Sequence, residues 1–136
     1  MLVYLTDKPL DPGEIISRIK TLGCGCVATY VGVIRDNSRG KQVVSVKYSD
    51  SGGTAQVRLE EIVRSALAKW SLEDMAIVHR LGMLEVGDFN LVVAVAAAHR
   101  IDGFAACQYA VDQFKEIMPT DKEECYSDDG FSPLVN

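Results

Sequence analysis

Leu91-Val92-Val93-Ala94-Val95-Ala96-Ala97-Ala98 is apolar at every position and runs straight into His99-Arg100. A run without alternation reads as a strand covered on both faces or as a poor helix, and its β-branched opening favours strand. Beyond it, Asp102 can cap a helix, and Phe104, Cys107, Val111, Phe114 and Met118 recur at helical spacing to form one apolar face. Lys115 falls in the last turn of that helix, where the dipole favours a cation; Pro119 stops it, and Lys122 follows in a loop. One short stretch thus predicts a central strand that hands a basic dipeptide to one helix end and lysines to the other.

Working outward, Val3-Tyr4-Leu5 predicts a short strand. Asp11-Pro12-Gly13-Glu14 predicts a helix start, with Ile15, Ile16, Ile19 and Leu22 on its buried face and Gly23 at its end. The β-prone run 26–34 carries a glycine at Gly32 and ends in the polar loop Arg35-Asp36-Asn37-Ser38-Arg39-Gly40, a solvated turn or an anion-binding loop at a strand end. Residues 42–48 read as a strand exposed on one side. From Ala55 to Trp70 a helical stripe follows, and Trp70 is placed to seal its end. Residues 75–81 read as another strand; a histidine within one is a satisfied structural residue more often than a catalyst, so His79 receives no catalytic role. A turn is expected around 85–88, and an irregular tail from about residue 124. The order β-α-β-β-α-β-β-α mixes hairpins with αβ steps, which argues for an α+β fold on a mostly antiparallel sheet.

The chain of 136 residues is 48% hydrophobic and 24% charged, enough for one domain over 1–136 with its own core. Its apolar runs are too short to span a bilayer, and MLVYLTDKPL lacks the basic start of a signal peptide, so a cytoplasmic protein is expected, without a membrane partner. A net charge of −5 leaves no basic stripe for nucleic acid. The four cysteines match neither a zinc nor a redox spacing and read as reduced, mostly buried thiols; no metal and no cofactor are expected. Against that acidic background, Arg35, Arg39, His99, Arg100, Lys115 and Lys122 all fall at strand ends, a helix end or adjoining loops. Such a set suits a small phosphorylated ligand, with lysine able to exchange protons where neighbours lower its pKa.

Several of these residues carry a family resemblance. Val31-Gly32-Val33-Ile34-Arg35, His79-Arg80-Leu81-Gly82, His99-Arg100, Phe104-Ala105, Asp112, Lys115, Pro119 and Lys122-Glu123 fall in the order and spacing of the large, catalytic subunit of molybdopterin synthase. The chain resembles that family from the first helix to Glu124, most strongly over 75–100 and 104–123. The resemblance implies an α/β-hammerhead-like fold and an enzyme that inserts two sulfurs into a cyclic pyranopterin monophosphate. Sulfur would arrive as a thiocarboxylate on the C-terminal Gly-Gly of a small ubiquitin-like subunit. The assembly implied is a heterotetramer built on a central homodimer of large subunits. Lys115 and Lys122 match the active-site lysines, while Arg35, His99 and Arg100 match substrate- and phosphate-binding residues, the His-Arg pair completing the site from the neighbouring large subunit. Arg39 is added on charge alone. Thr120-Asp121 stands where the family usually has two apolar residues, the second a tryptophan, so Asp121 could pair with Lys122 or turn its loop outward. That departure keeps open an alternative: a non-catalytic dimeric relative that binds a phosphorylated ligand or the small subunit without sulfur transfer.

Overall fold

The apolar run at 91–98 lies at the middle of the molecule because both faces of its strand are covered. In the computed structural model, which describes residues 1–127, β7 (Phe89–Ala97) pairs antiparallel with β2 (Cys26–Val33) on one side and with β5 (Asp74–Arg80) on the other. The strand β1 (Leu2–Thr6) adds to β5 in parallel, giving the order β1-β5-β7-β2. Successive side chains of a strand point to opposite faces. Leu91, Val93 and Val95 accordingly meet α2 (Ala55–Lys69) and α3 (Arg100–Ile117), whereas Val92, Ala94 and Ala96 meet Ile15 and Ile19 of α1 (Pro12–Ile19).

A second sheet, β3 (Asn37–Ser38), β4 (Lys41–Ser49) and β6 (Gly82–Glu85), is extended by β8 (Asp121–Tyr126) on β4. Ile34, Val43, Val46, Tyr48 and Leu84 form its own small core. Except for β1 with β5, every pairing is antiparallel, and the fold is α+β as the element order predicts. The β3–β4 hairpin turns through Arg39 and Gly40, both at positive φ (54° and 78°), the combination of a type I′ turn.

Several expectations change. The first helix ends at Ile19, with Lys20 rather than Gly23 at its C-terminus, so Leu22 is exposed instead of buried. His99, not Asp102, is the N-cap of α3; Asp102 sits in the first turn. Phe104 and Met118 are exposed, and the buried face of α3 is built from Gly103, Ala106, Cys107, Ala110 and Val111. Small residues there let the helix approach the sheet closely. The turn expected around 85–88 is preceded by β6, and the segment read as a loop and irregular tail is β8 as far as Tyr126; from residue 128 onward that tail lies outside the described residues. β6 buries a single side chain, Leu84, and β8 buries none fully, so both are held mainly by cross-strand pairing and lack the alternation of an amphipathic strand.

The four cysteines are free thiols. Burial pushes the Cys107 thiol up to about 11, which makes it a poor nucleophile. Among the described residues no cluster of ligands could hold a metal, and no helix is long and apolar enough to cross a membrane.

Candidate functional site

Two adjoining compartments open where the C-terminal end of α3 meets both sheets. One, of about 210 Å³, is lined by Tyr30, Leu91, Phe114, Lys115, Met118 and Thr120 among others. Its neighbour, of about 290 Å³, adds Gly32, Arg35, Ser38 and Glu124. Tyr30, Tyr48, Asn90, Lys115 and Lys122 line both, so they are two halves of one cleft.

Each cation reaches the cleft by a different route. Lys115 projects from the last turn of α3, just before the chain leaves the helix through Met118 in the left-handed conformation (φ 50°). Arg35 follows the end of β2. Lys122 lies in β8, directly opposite Tyr48 of β4, and Glu124 lies opposite Val46. Directly opposed residues of an antiparallel pair share a face. Register therefore puts Lys122, Glu124 and Tyr48 on the cleft side together, and the loop expected for Lys122 is corrected to a strand.

Asp121 does not pair with Lys122. Its carboxylate accepts hydrogen bonds from the Ser51 hydroxyl and, at 3.3 Å, the Ser51 amide, which hold it below its ordinary value. Lys122 Nζ instead lies 3.7 Å from Glu124 Oε2. Burial pushes the Glu124 carboxyl up, but hydrogen bonds from Tyr126 and Ser38, with the charges of Lys122 and Arg39, outweigh it and leave it lowered. Arg39 thus acts on Glu124 from the hairpin turn and does not line the cleft.

His99 and Arg100 are not brought to this cleft. They stand at the opposite end of α3 from Lys115, roughly 22 Å along the axis for 15 residues at ~1.5 Å each. Both are exposed, and Ile101 and Phe104 beside them leave large apolar surfaces uncovered.

Beneath the cleft runs a polar chain that pattern alone did not indicate. His79 is fully buried; its Nδ1 lies 2.7 Å from the Asn90 backbone carbonyl and its Nε2 lies 2.9 Å from Thr120 Oγ1. A carbonyl oxygen can only accept, so Nδ1 carries the proton and Nε2 accepts from the Thr120 hydroxyl. Burial lowers the His79 pKa and keeps the ring neutral, with Tyr48 and Phe114 edge-on to it at 4.9 and 5.0 Å. His79 is therefore a satisfied structural residue, as its place in an apolar strand predicts. Asn90 donates from Nδ2 to the Tyr48 hydroxyl at 2.8 Å. The β2–β7 register shifts at this point, Gly32 facing Leu91 and Val33 facing Phe89, so Asn90 is the extra residue of a bulge. A Cβ on Gly32 would collide with Asn90 Oδ1. The glycine inside an otherwise β-branched strand was the one sequence signal for this close approach.

A cleft that gathers two lysines and an arginine from a helix end, a strand and a strand-end loop, in an acidic chain, can hold a small anion and supply donors to it. Known proteins share this chain's sequence and fold. The model of the family described as "MoaE protein" matches residues 5–117. A molybdopterin synthase catalytic subunit of Oryza sativa subsp. indica is 38% identical over 119 residues, covering 88% of this chain and 62% of the relative. The chain thus spans well under the full length of that plant protein. The corresponding subunit of Thermoplasma volcanium is 30% identical over 122 residues, with 90% and 89% covered. The crystal structure of molybdopterin synthase from Staphylococcus aureus superposes with a TM-score of 0.85 at 27% identity, covering 91% of this chain and 90% of that one. Fold, cleft and sequence together place this chain in the MoaE protein family.

Proposed function

We propose that the chain is the catalytic subunit of a molybdopterin synthase, which transfers sulfur to a cyclic pyranopterin monophosphate to build a dithiolene. The observation that carries this reading is the convergence of Lys115, Lys122 and Arg35 on one cleft from three separate elements. Opening the cyclic phosphate develops negative charge, which fixed cations stabilise more than they stabilise the ground state. Lys115, on a helix packed against the sheet, acts as the proton-transferring group for attack by the sulfur donor. Lys122, set by strand register, stabilises with Arg35 the negative charge that develops in that opening.

The sulfur donor in this reading is the thiocarboxylated C-terminal Gly-Gly of a small ubiquitin-like subunit. Its thin tail suits a cleft of a few hundred cubic ångströms because glycine adds no side chain to clash. His99 and Arg100 serve the cleft of a second large subunit; their distance from Lys115 within one chain and the exposed Ile101 and Phe104 beside them support this. Arg39 is assigned to steadying Glu124 rather than to substrate. The non-catalytic alternative drew on Thr120-Asp121. Both are anchored elsewhere, to His79 and Ser51, and Lys122 still lines the cleft, which favours the catalytic reading.

The test is reconstitution. Purified protein, thiocarboxylated small subunit and pyranopterin monophosphate are mixed and assayed for dithiolene product. Product is expected; binding of both partners without product would establish the non-catalytic relative instead.

A further inference from the structure

Tyr48 lines both halves of the cleft, faces Lys122 across the β4–β8 ladder, and has its phenol oxygen engaged as an acceptor by Asn90 Nδ2 at 2.8 Å. A phenol has one proton to give. With Asn90 donating to the oxygen, that proton is left for another acceptor. Among the described residues Tyr48 donates no hydrogen bond to the protein: Lys115, Lys122 and Arg35 cannot accept, and Glu124, the carboxylate in the cleft lining, is engaged by Tyr126, Ser38 and Lys122 instead.

We propose that Tyr48 is a ligand-contacting residue of this cleft, donating its phenolic proton to an oxygen of the bound pyranopterin monophosphate, and that Asn90 is the positioning residue that aims it. This deepens the functional reading above and rests on it. Asn90 can hold that role because three constraints fix it. It is the extra residue of the β7 bulge, its amide lies against Gly32 where no side chain intervenes, and its backbone carbonyl receives the His79 Nδ1 proton at 2.7 Å. His79 is in turn held by Thr120, so the chain from Thr120 to Tyr48 crosses from the segment after α3 to the far wall of the cleft. Burial raises the Tyr48 pKa, so the phenol stays protonated and can donate throughout the neutral range. Neither residue belongs to the set of cations that the sequence singled out.

The experiment compares precursor binding by titration calorimetry in wild type, Tyr48→Phe, Asn90→Asp and the double variant, with circular dichroism as the fold check. Tyr48→Phe keeps the ring and removes only the donor; its Kd is expected to rise about tenfold, the equivalent of about 1.4 kcal/mol. In Asn90→Asp the carboxylate would accept the Tyr48 proton and withdraw it from the ligand. It is expected to show a similar loss, and the double variant to be no worse than either single change, the signature of two residues acting through one contact. A purely structural role for Asn90 would instead give additive losses, and that outcome removes the positioning claim. An unchanged Kd in Tyr48→Phe overturns the proposal, because the phenol proton then goes to Asn90 Oδ1 or to solvent; dithiolene formation by wild type would still uphold the functional reading. If wild type fails to bind the precursor, the functional reading fails and this inference with it. Should Asn90→Asp not fold, Tyr48→Phe alone decides whether the hydroxyl touches the ligand.

Discussion

At the scale of single residues, the cleft sets two lysines in rigid frames. Lys115 stands in the last turn of α3 and Lys122 in β8, so neither is carried by a free loop. Lys115→Ala is expected to lower single-turnover dithiolene formation by at least roughly a hundredfold, the scale for losing a positioned acid–base group. Lys122→Ala should fall in the same range, because register fixes it opposite Tyr48. A loss confined to substrate affinity, with turnover intact, would make Lys122 only an attractor. His79 gives a separate handle through pH. Burial lowers its pKa below the ordinary 6.5, so over the interval beneath 6.5 the unfolded chain binds more protons than the folded one. Stability from this residue is thus complete above 6.5 and is lost progressively as pH falls from there toward the folded-state value. Thermal denaturation of wild type should show the melting temperature dropping from pH 7 to 5, and His79→Gln, though less stable throughout, should show a shallower drop.

Among elements, the segment from α3 into β8 is anchored by two polar side chains, Thr120 and Asp121. Thr120 closes the buried histidine chain, and Asp121 binds Ser51 in the loop before α2. These contacts fix the start of β8. Thr120→Val keeps the shape and leaves His79 Nε2 without a donor. The cost is expected at about 1–3 kcal/mol, the range for a buried polar group left unpartnered, and would appear in urea denaturation as a lower midpoint at unchanged slope. No change in midpoint would mean that the Thr120 hydroxyl does not hold the ring.

For the whole molecule, the separation of Arg100 from Lys115 turns a family expectation into a complementation experiment. Light scattering should find a dimer at micromolar concentration before any small subunit is added. If Arg100 serves the neighbour's cleft, Lys115→Ala and Arg100→Ala are each inactive alone. Unfolding and refolding the two together should recover roughly a quarter of wild-type turnover, since half the dimers are mixed and each mixed dimer has one intact site. Absence of recovery would place Arg100 outside the catalytic assembly.

The sequence by itself determined the elements whose signals are local. The unalternating run at 91–98 meant burial on both faces, Asp11-Pro12 meant a helix start, and the apolar stripe at 55–70 meant a packed helix. Chemistry was legible in the same way: in an acidic chain, cations at the ends of elements stand out, and Lys115, Lys122 and Arg35 do meet in one cleft. Tertiary structure alone decided the rest. Strand β8 exists because β4 offers an edge to pair with, and no property of residues 121–126 announces that edge. The bulge that frees Asn90, and the glycine that makes room for it, come from two strands 58 positions apart, counting from Gly32 to Asn90. Pairing across such a distance is set by which strands the core brings side by side, and a sequence pattern reports only the face that each residue prefers, not the neighbour it will meet.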